Sequence, residues 1–166
     1  DDFLYCEVAL GEKGEIIQQY ARLELGEGIV GTVAQEKKPI ALEDAYQDPR
    51  FNPEMDKRSG FRTKSLICVP LFVEDKIIGT LEVINKTGGR VFDDFDLEYL
   101  LALSEVAAIA IQNASIKDSL DKRILELSLL YEFEKLTVSE KSLRELGTWI
   151  LERVLDYLGA TSGTIY

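Results

Sequence analysis

Alternating apolar and polar residues open the chain and predict two strands. The two runs cover residues 3–10 and 15–23. Residues 11–14, with a glycine at each end, lie between the runs and are typical of a tight hairpin turn. We therefore expect the chain to begin with an antiparallel hairpin.

A short helix and a third strand precede a long irregular segment. The helix is opened by glycines at positions 26, 28 and 31, and Pro39 starts the strand. Residues 43–65 then contain two prolines, many polar groups and little apolar periodicity, with one helical turn over Pro53–Arg58. Irregular connections of this length inside a compact domain are usually lids or binding loops.

Two longer apolar runs predict a second hairpin. They cover residues 65–73 and 76–86, with the turn at Glu74 and Asp75. Pro70 lies inside the first run, which indicates an edge or bulge position there, because proline has no N–H for the ladder.

From Asp93 onward the apolar spacing becomes helical and predicts one long helix. Asp93 and Asp94 favour a helix start, because carboxylates accept hydrogen bonds from the free N–H groups of the first turn. The helical spacing continues well past Ile116. Steps of four, three and four residues then indicate a short coiled-coil seam at Leu120, Ile124, Leu127 and Tyr131.

A second helix is predicted near the end of the chain. Ser142 and Glu145 have the spacing of a capping box, and Gly159 ends the helix. The last six residues, TSGTIY, read as the first half of a strand. We therefore expect a strand without a neighbour at each end, as in a fragment of a longer protein.

Composition excludes several classes of function. The 166 residues are 46% hydrophobic and 30% charged, which is typical of a soluble domain with a sizeable core. The net charge of −11 disfavours nucleic-acid binding and docking on anionic lipid, both of which need a basic face. We also expect no secretory signal and no apolar run long enough to span a bilayer.

The absence of histidine removes Ser-His-Asp and Cys-His catalysis and imidazole metal sites. Cys6 and Cys68 each lie in an apolar strand pattern. This favours two buried reduced thiols in a cytoplasmic protein over a disulfide. We predict no metal site and no catalytic residue.

Four stretches, in their order and spacing, resemble a GAF domain of the type found in cyclic-nucleotide phosphodiesterases and adenylyl cyclases. The stretches, within residues 23–112, are LGEGIVGTVAQEKKPI, DAYQDPRFNPEMDKRSGFRTKSLICVPL, IIGTLEVINK and FDDFDLEYL. The resemblance implies an α+β fold: a central antiparallel sheet with helices packed on it and a long C-terminal connecting helix.

The segment VINKTGGRVFDDFD carries the family's signature and places a lysine before a group of carboxylates. By resemblance, Asn85, Lys86, Phe92 and Asp96 form a structural clamp in which Lys86 and Asp96 make a salt bridge beside the pocket. Leu97 stands where the family has glutamate, which weakens an expectation of cyclic-nucleotide affinity. The alternative is a solvated surface ion pair worth less than about 1 kcal/mol.

By the same resemblance, the ligand pocket carries over to Ile29, Val30, Asn52, Asp56, Ser59 and Glu82. Asp56 and Glu82 could accept hydrogen bonds from an amine or ring N–H, and Ser59 could donate or accept one. Two alternatives stay open: Glu82 could point outward on an alternating strand, and Asp56 could be one surface charge among many.

The resemblance also implies a domain organisation. Residues 1–115 would be a GAF domain that lacks its first helix and strand, and residues 116–137 a connecting helix. Residues 138–166 would be the opening helix and strand of a second GAF domain in a tandem arrangement. That strand could complete a GAF sheet, its own or that of a second chain, by pairing with Phe3–Leu10.

We expect a regulatory sensor domain of a multidomain signalling protein. A small ligand, such as a cyclic nucleotide or another metabolite, would order the lid around residues 44–63. A homodimer through helices 97–135 would then pass the change to a neighbouring output domain, which could be catalytic.

Two other classes remain as alternatives. One is a ligand-free dimerisation or spacer module whose pocket is filled by Phe51, Phe61 or Phe72. The other is an enzyme that uses Cys68, but a thiol inside an apolar strand has a raised pKa and is inert. We therefore predict no catalysis by this domain, no nucleic-acid partner and no membrane insertion; no cofactor is certain, and a cyclic nucleotide or another small metabolite is the expected ligand.

Overall fold

The structure is a computed structural model that describes residues 3–11, 13–20, 22–137 and 142–165. The chain divides into two compact units, Asp1–Ala114 and Ser115–Tyr166. The strands of the described part are β1 (Phe3–Tyr5), β2 (Arg22–Glu24), β3 (Ile40–Leu42), β4 (Leu66–Val73) and β5 (Lys76–Ile84). Its α-helices are α1 (Gly14–Tyr20), α2 (Gly28–Glu36), α3 (Glu54–Ser59), α4 (Asp94–Thr137) and α5 (Leu143–Leu158).

β4 is the middle strand of an antiparallel sheet in the order β3-β4-β5, and both of its faces are covered. Leu66 and Cys68 pack with residues of α2 in one apolar cluster. Ile67 and Val69 pack with Leu100 of α4 in another cluster on the opposite face. Because neither face meets water, β4 is a continuous apolar run instead of an alternating one.

Pro70 lies in this middle strand, where its missing N–H would normally cost a ladder hydrogen bond. However, β3 pairs with β4 only from Leu66 to Cys68, so no strand of the described residues faces Pro70 on that side. The register between β4 and β5 shifts directly afterwards, between Leu71 and Phe72. The expected edge or bulge position is thus the point where one neighbouring strand has ended and a bulge begins.

The first segment of the chain differs from the predicted hairpin. β1 ends at Tyr5, and α1 occupies most of the residues predicted as a strand over 15–23, so that prediction is wrong. The two strand ends do pair: β1 is antiparallel to β2, with Phe3 opposite Glu24. The connection is therefore a helix-containing loop rather than a tight turn at residues 11–14.

Local chemistry explains why α1 replaces a strand. Glu15 and Gln18 are good helix formers that flank the two isoleucines, and short apolar runs are ambiguous between helix and strand. The backbone at Gly14 lies against Ala9, and a Cβ at that position would collide with the Ala9 carbonyl oxygen. This close approach turns the chain before a second strand can form.

The two predicted C-terminal helices are confirmed. At the start of α5, Ser142 and Glu145 make both hydrogen bonds of the capping box, and Gly159 ends the helix in the left-handed region. The strand predicted for TSGTIY is wrong for residues 161–165, which contain no strand and are exposed, and Tyr166 lies outside the described residues. The described part of the second unit consists of helices, which offer no sheet edge for a strand to pair with.

One helical segment contradicts the expectation that no apolar run could span a bilayer. By length and composition alone, Asp94–Glu132 is long and apolar enough to do so. Glu105 is the only charged residue between Tyr99 and Ile116, which explains the match. Only 17% of the most apolar stretch is buried, so most of its apolar surface is uncovered within the described residues.

Truncation of Ile67 tests the core between β4 and α4. Ile67 is completely buried, so Ile67→Ala removes apolar contacts and leaves a cavity that the sheet cannot close. We expect a loss of about 3 kcal/mol in the free energy of unfolding, measured by urea denaturation. Ile78→Ala on the exposed part of β5 is the control and should cost less than about 1 kcal/mol. Equal losses in the two variants would contradict this account of the core.

Candidate functional site

Asn85 joins the end of β5 to the segment that precedes β4. Its backbone is in the left-handed region, with φ of 58°, which asparagine adopts more readily than most residues. The side-chain Oδ1 accepts a hydrogen bond from the Lys64 N–H at 2.7 Å, and Nδ2 donates to the Arg62 carbonyl oxygen at 2.8 Å. The Asn85 N–H also donates to the carbonyl oxygen of Ser65 at 2.8 Å.

Lys86, the next residue, is ion-paired with the beginning of α4. Its Nζ donates to Asp96 and, at 3.2 Å, to Asp93. The two aspartates cap each other's backbone: the Asp93 N–H donates to Asp96 at 2.8 Å, and the Asp96 N–H donates to Asp93 at 3.0 Å. These hydrogen bonds raise the pKa of Lys86 and lower that of Asp96. The structure thus places the predicted ion pair at the helix start.

Apolar contacts lie directly beneath this ion pair. Phe92 and Leu97 both pack against the cluster formed by Ile67, Val69 and Leu100. Leu97 therefore adds apolar contact at the position where the family signature has a glutamate. The supporting role of these residues for a ligand site stays a prediction.

Asp56 is the hydrogen-bonding centre of the irregular segment between β3 and β4. It is 7% exposed and belongs to α3. Its Oδ2 accepts hydrogen bonds from the Tyr46 hydroxyl at 2.9 Å and the Thr63 N–H at 2.7 Å, and Oδ1 accepts from the Thr63 hydroxyl at 2.8 Å. A carboxylate has about four acceptor sites. Donors of the segment itself therefore occupy three of the acceptor sites of Asp56, which the sequence analysis had predicted to receive a ligand.

Tyr46 connects Asp56 to the apolar core and to Arg62. Its ring lies 5.1 Å from the ring of Phe51, which packs on the cluster against α2. The Arg62 guanidinium lies 3.4 Å from the centre of the Tyr46 ring, a cation–π contact. Burial and the hydrogen bond to Asp56 raise the pKa of the Tyr46 hydroxyl. These contacts fix the shape of the segment around Asp56.

The other predicted pocket residues occupy different surroundings. Ile29 is buried in the core cluster, and Val30 is half-buried against it. The Ser59 hydroxyl donates to the Met55 carbonyl oxygen at 2.8 Å and is buried. Asn52 is exposed, and its Oδ1 accepts from the Glu54 N–H at 3.0 Å at the start of α3.

Glu82 lies on the face of the sheet that α2 covers. It is opposite Cys68 in the β4–β5 register and two residues from Ile84, and both of these neighbours pack on the cluster of that face. The register therefore places Glu82 on the side of the sheet where the pocket is predicted, and its role as a ligand residue stays a prediction. Among the described residues, no donor forms a hydrogen bond with its carboxylate.

The surroundings of Glu82 combine access to solvent with close protein packing. The residue is exposed in the isolated chain, yet desolvation, with the nearby charge of Asp56, raises its pKa to about 7. A carboxylate packed among protein groups and next to a like charge holds its proton to a higher pH.

Both cysteines lie within the electrostatic reach of Glu82. Burial, followed by the charge of Glu82, raises the pKa of the Cys68 thiol. Burial also raises the pKa of Cys6, and Glu82 contributes to that shift. A thiol with a raised pKa is a poor nucleophile, so the geometry offers no activated cysteine here. Among the described residues, no group of three or more Cys, Asp and Glu is arranged to hold a metal ion.

A model of the GAF domain family matches residues 6–111, which is more than half of the chain. The chain belongs to the GAF domain family. The resemblance found in the sequence and the predicted α+β GAF fold are therefore confirmed. The match includes the sheet, the lid segment and the first part of α4, and it ends close to the boundary between the two compact units.

Similar proteins extend this result. Over 128 residues the GAF chain is 34% identical to "Dual 3',5'-cyclic-AMP and -GMP phosphodiesterase 11" of Drosophila melanogaster, covering 75% of this chain and 9% of that protein. Over 96 residues it is 41% identical to the "cGMP-specific 3',5'-cyclic phosphodiesterase" of the same species, covering 57% of this chain and 9% of that protein. The chain thus spans only a small part of these relatives.

A solved structure shows the same fold. The GAF domain from a phosphoenolpyruvate-protein phosphotransferase of Coxiella burnetii superposes with a TM-score of 0.57 at 22% identity. The superposition covers 66% of this chain and 64% of that chain.

Sequence reasoning missed three residues that organise the lid of this GAF domain, namely Tyr46, Arg62 and Thr63. Only Thr63 could have been found from the sequence. It follows Gly60, which ends α3 in the left-handed region, and a chain that reverses there can bring Thr63 back to Asp56. Tyr46 and Arg62 meet only in the folded lid. A groove in the second unit, lined by Lys122, Leu125, Glu126, Leu129 and Tyr157, contains none of the predicted site residues.

The raised pKa of Glu82 predicts a pH-dependent penalty to stability. The folded state holds this proton up to about pH 7, whereas the unfolded chain releases it near 4.5. Stability of the wild type therefore falls as pH rises between these values. We expect Glu82→Gln to gain at most about 1 kcal/mol at pH 8, since exposure screens the effect, and nothing near pH 4.5.

Urea denaturation at both pH values measures this difference. Glu98→Gln on the exposed side of α4 is the control and should show the same small change at both. A gain for Glu82→Gln that is equal at pH 4.5 and pH 8 would contradict the desolvated carboxylate.

Substitution of Asn85 separates its side-chain hydrogen bonds from its backbone conformation. Asn85→Ala loses both side-chain hydrogen bonds, at about 1 kcal/mol each, and adds about 1 kcal/mol of left-handed strain. Asn85→Gly loses the hydrogen bonds but avoids the strain. We expect the order of thermal stability to be wild type, then glycine, then alanine. Wild-type stability in both variants would show that the hydrogen bonds of Asn85 to Arg62 and Lys64 do not stabilise the fold.

Proposed function

We propose that this GAF domain is a regulatory module of a longer signalling protein that binds a small molecule over Glu82. One observation carries the proposal: Glu82, on the sheet face that α2 covers and near the charge of Asp56, has no hydrogen-bond donor for its carboxylate among the described residues. A desolvated carboxylate without a donor is unfavourable. A ligand that presents an N–H group would relieve this cost.

A cyclic nucleotide is the first ligand to test. The matched relatives are phosphodiesterases named for cAMP and cGMP. A purine offers an amine or ring N–H to Glu82, and the half-buried Val30 lies on the apolar cluster beside it. Ile29 and Ser59 are buried, and Asn52 accepts a hydrogen bond at the start of the lid helix, so in this proposal they shape the site.

The hydrogen bonds of the site offer a route from ligand to helix. Asp56 holds Thr63, and the adjoining backbone at residues 62 and 64 is held by the Asn85 side chain. Lys86 follows Asn85 and is paired with the first turn of α4. A change in the lid would therefore reach α4 through residues that are adjacent in the chain. Signal transmission requires that the ligand bind one arrangement of this route more tightly than another.

The wider architecture belongs to the same proposal. Residues 1–115 act as the non-catalytic GAF domain, and residues 116–137 as a connecting helix through which two copies pair. Residues 138–166 are the beginning of a second GAF domain. The parent protein is cytoplasmic and carries a separate output domain.

A ligand-free spacer is the second candidate, and two observations favour it. Donors of the lid itself already satisfy Asp56. Leu97 occupies the position of the signature glutamate and packs into the core. As a spacer, the domain would pair two chains and set the distance between neighbouring domains. Phe51, which packs on the core cluster, would then fill part of the predicted ligand pocket.

Isothermal calorimetry at pH 7.5 with cAMP and cGMP distinguishes the two candidates. For the sensor we expect binding of one nucleotide with a Kd on the order of 1 μM, about −8 kcal/mol. Glu82→Ala should weaken this binding at least about tenfold, which is about 1.4 kcal/mol. Glu98→Ala, an exposed carboxylate on α4, is the control and should bind like the wild type.

Each calorimetric outcome supports one of the two candidate functions. Binding that is lost only with Glu82→Ala supports the proposed site. Heat from neither nucleotide, together with no copurified small molecule in the mass spectrum of the native protein, supports the spacer. Equal binding by wild type and Glu82→Ala would show that Glu82 is not a ligand residue.

A further inference from the structure

The segment before β4, residues 61–65, alternates between exposed and buried positions, as an extended chain does. Thr63 and Ser65 are buried, whereas Arg62 and Lys64 are exposed. Side chains two residues apart in an extended chain lie on the same side of it. The two cationic side chains therefore project into solvent together, from Cα atoms that are about 7 Å apart. We call this exposed side of residues 62–64 the cationic face.

The backbone beneath the cationic face is held from both sides. The Ala45 N–H donates to the Lys64 carbonyl oxygen at 2.6 Å. From the other side, the Asn85 side chain bonds the Arg62 carbonyl oxygen and the Lys64 N–H. Between them, Thr63 donates two hydrogen bonds to a carboxylate of the lid. Because the backbone is already ordered, a partner that binds here loses little affinity to ordering of the chain.

The Arg62 guanidinium is further positioned by the ring of Tyr46. It lies 3.4 Å from the ring centre, so the planar group has room only to lie flat against the ring. The ring is fixed in turn by the hydrogen bond from the Tyr46 hydroxyl to Asp56 and by its contact with Phe51. Because the N–H bonds of a guanidinium lie in its plane, stacking leaves donors available at its edge.

Neither cation of this face is neutralised within the described part of the chain. Arg50 and Lys57, by contrast, each pair with a neighbouring aspartate or glutamate. No carboxylate of the described residues forms an ion pair with Arg62 or Lys64. Residues 50–64 contain five cationic and two anionic residues, in a chain whose net charge is −11. The cationic face is thus part of a local excess of positive charge on an acidic protein.

We propose that the cationic face docks an acidic segment of a protein partner, an extended stretch in which carboxylates occupy every second position. Alternate side chains of an extended stretch lie on one side and repeat at the same spacing of about 7 Å. One carboxylate accepts two parallel hydrogen bonds from Arg62, and the next pairs with Lys64. None of these contacts involves Glu82, so docking does not depend on the ligand proposed above.

An acidic protein segment suits this face better than other anions do. The net charge of −11 opposes binding to nucleic acid and to anionic lipid, both of which need a wide basic surface. A single small anion would meet two exposed cations, and exposed ion pairs are individually weak. Several carboxylates on one chain bind more tightly, because the first contact holds the second carboxylate close to its partner.

Fluorescence anisotropy with the full chain tests the docking surface. The probe is a short fluorescein-labelled peptide that alternates glutamate with serine, and the matched probe has glutamine in place of glutamate. We expect only the glutamate peptide to bind, with an affinity that falls as salt is added. Arg62→Gln and Lys64→Gln should each weaken this binding at least about fivefold, because each removes one charge-assisted contact.

Two further variants separate the geometry of the face from its charge. Lys76→Gln is the control: it removes the same charge at an exposed position, at the opposite end of the β4–β5 hairpin, and should bind like the wild type. Arg62→Lys keeps the charge but loses the planar fork, and we expect it to weaken binding about threefold. Urea denaturation checks that each variant is folded. If Arg62→Gln does not fold, Arg62→Lys and Lys64→Gln still test the face.

Three outcomes would overturn the proposal. The first is no binding of the glutamate peptide by the wild type at about 1 mM protein, which leaves less than about −4 kcal/mol for docking. The second is equal weakening by Lys76→Gln and Lys64→Gln, which would show attraction to the overall charge alone. The third is binding of a phosphoserine version of the peptide without binding of the glutamate version, which would identify a phosphorylated partner instead.

Discussion

The hydrogen bonds of Asn85 are the constraint on which the rest of the GAF unit depends. β5 ends at Ile84, and Asn85, the next residue, is in the left-handed region. The Asn85 side chain holds the backbone at Arg62 and Lys64 through two hydrogen bonds. The same turn directs Lys86 to the first turn of α4. Since the lid, the sheet and the long helix all meet at these two consecutive residues, none of them can shift far without affecting the others.

Two carboxylates near this point differ in how their charge is compensated. Asp56 accepts three hydrogen bonds from the lid, so its burial holds the lid together. Glu82 lies close to it without a donor among the described residues, and burial raises its pKa to about 7. The charge of Asp56 is compensated by these hydrogen bonds, whereas the charged form of Glu82 is unfavourable in the folded chain. This contrast is the reason for proposing a ligand over Glu82 rather than over Asp56.

The long helix has separate faces for separate partners. One part of its surface packs on the sheet through Leu100, and another part carries Glu132, which is paired with Arg153. Each of these contacts lies within one unit. The first turn of α4 is held by the ion pairs of Lys86 with Asp93 and Asp96.

The sequence by itself determined the elements whose causes are local. The capping box of Ser142, the start of α4 near Asp93 and the β4–β5 hairpin depend on residues only a few positions apart. It also carried the GAF signature. Only the tertiary structure decided that residues 14–20 form a helix, that the lid's own donors satisfy Asp56 and that no described residue donates to Glu82. These outcomes depend on groups brought together from distant parts of the chain, and no local pattern records which donors will reach which acceptors.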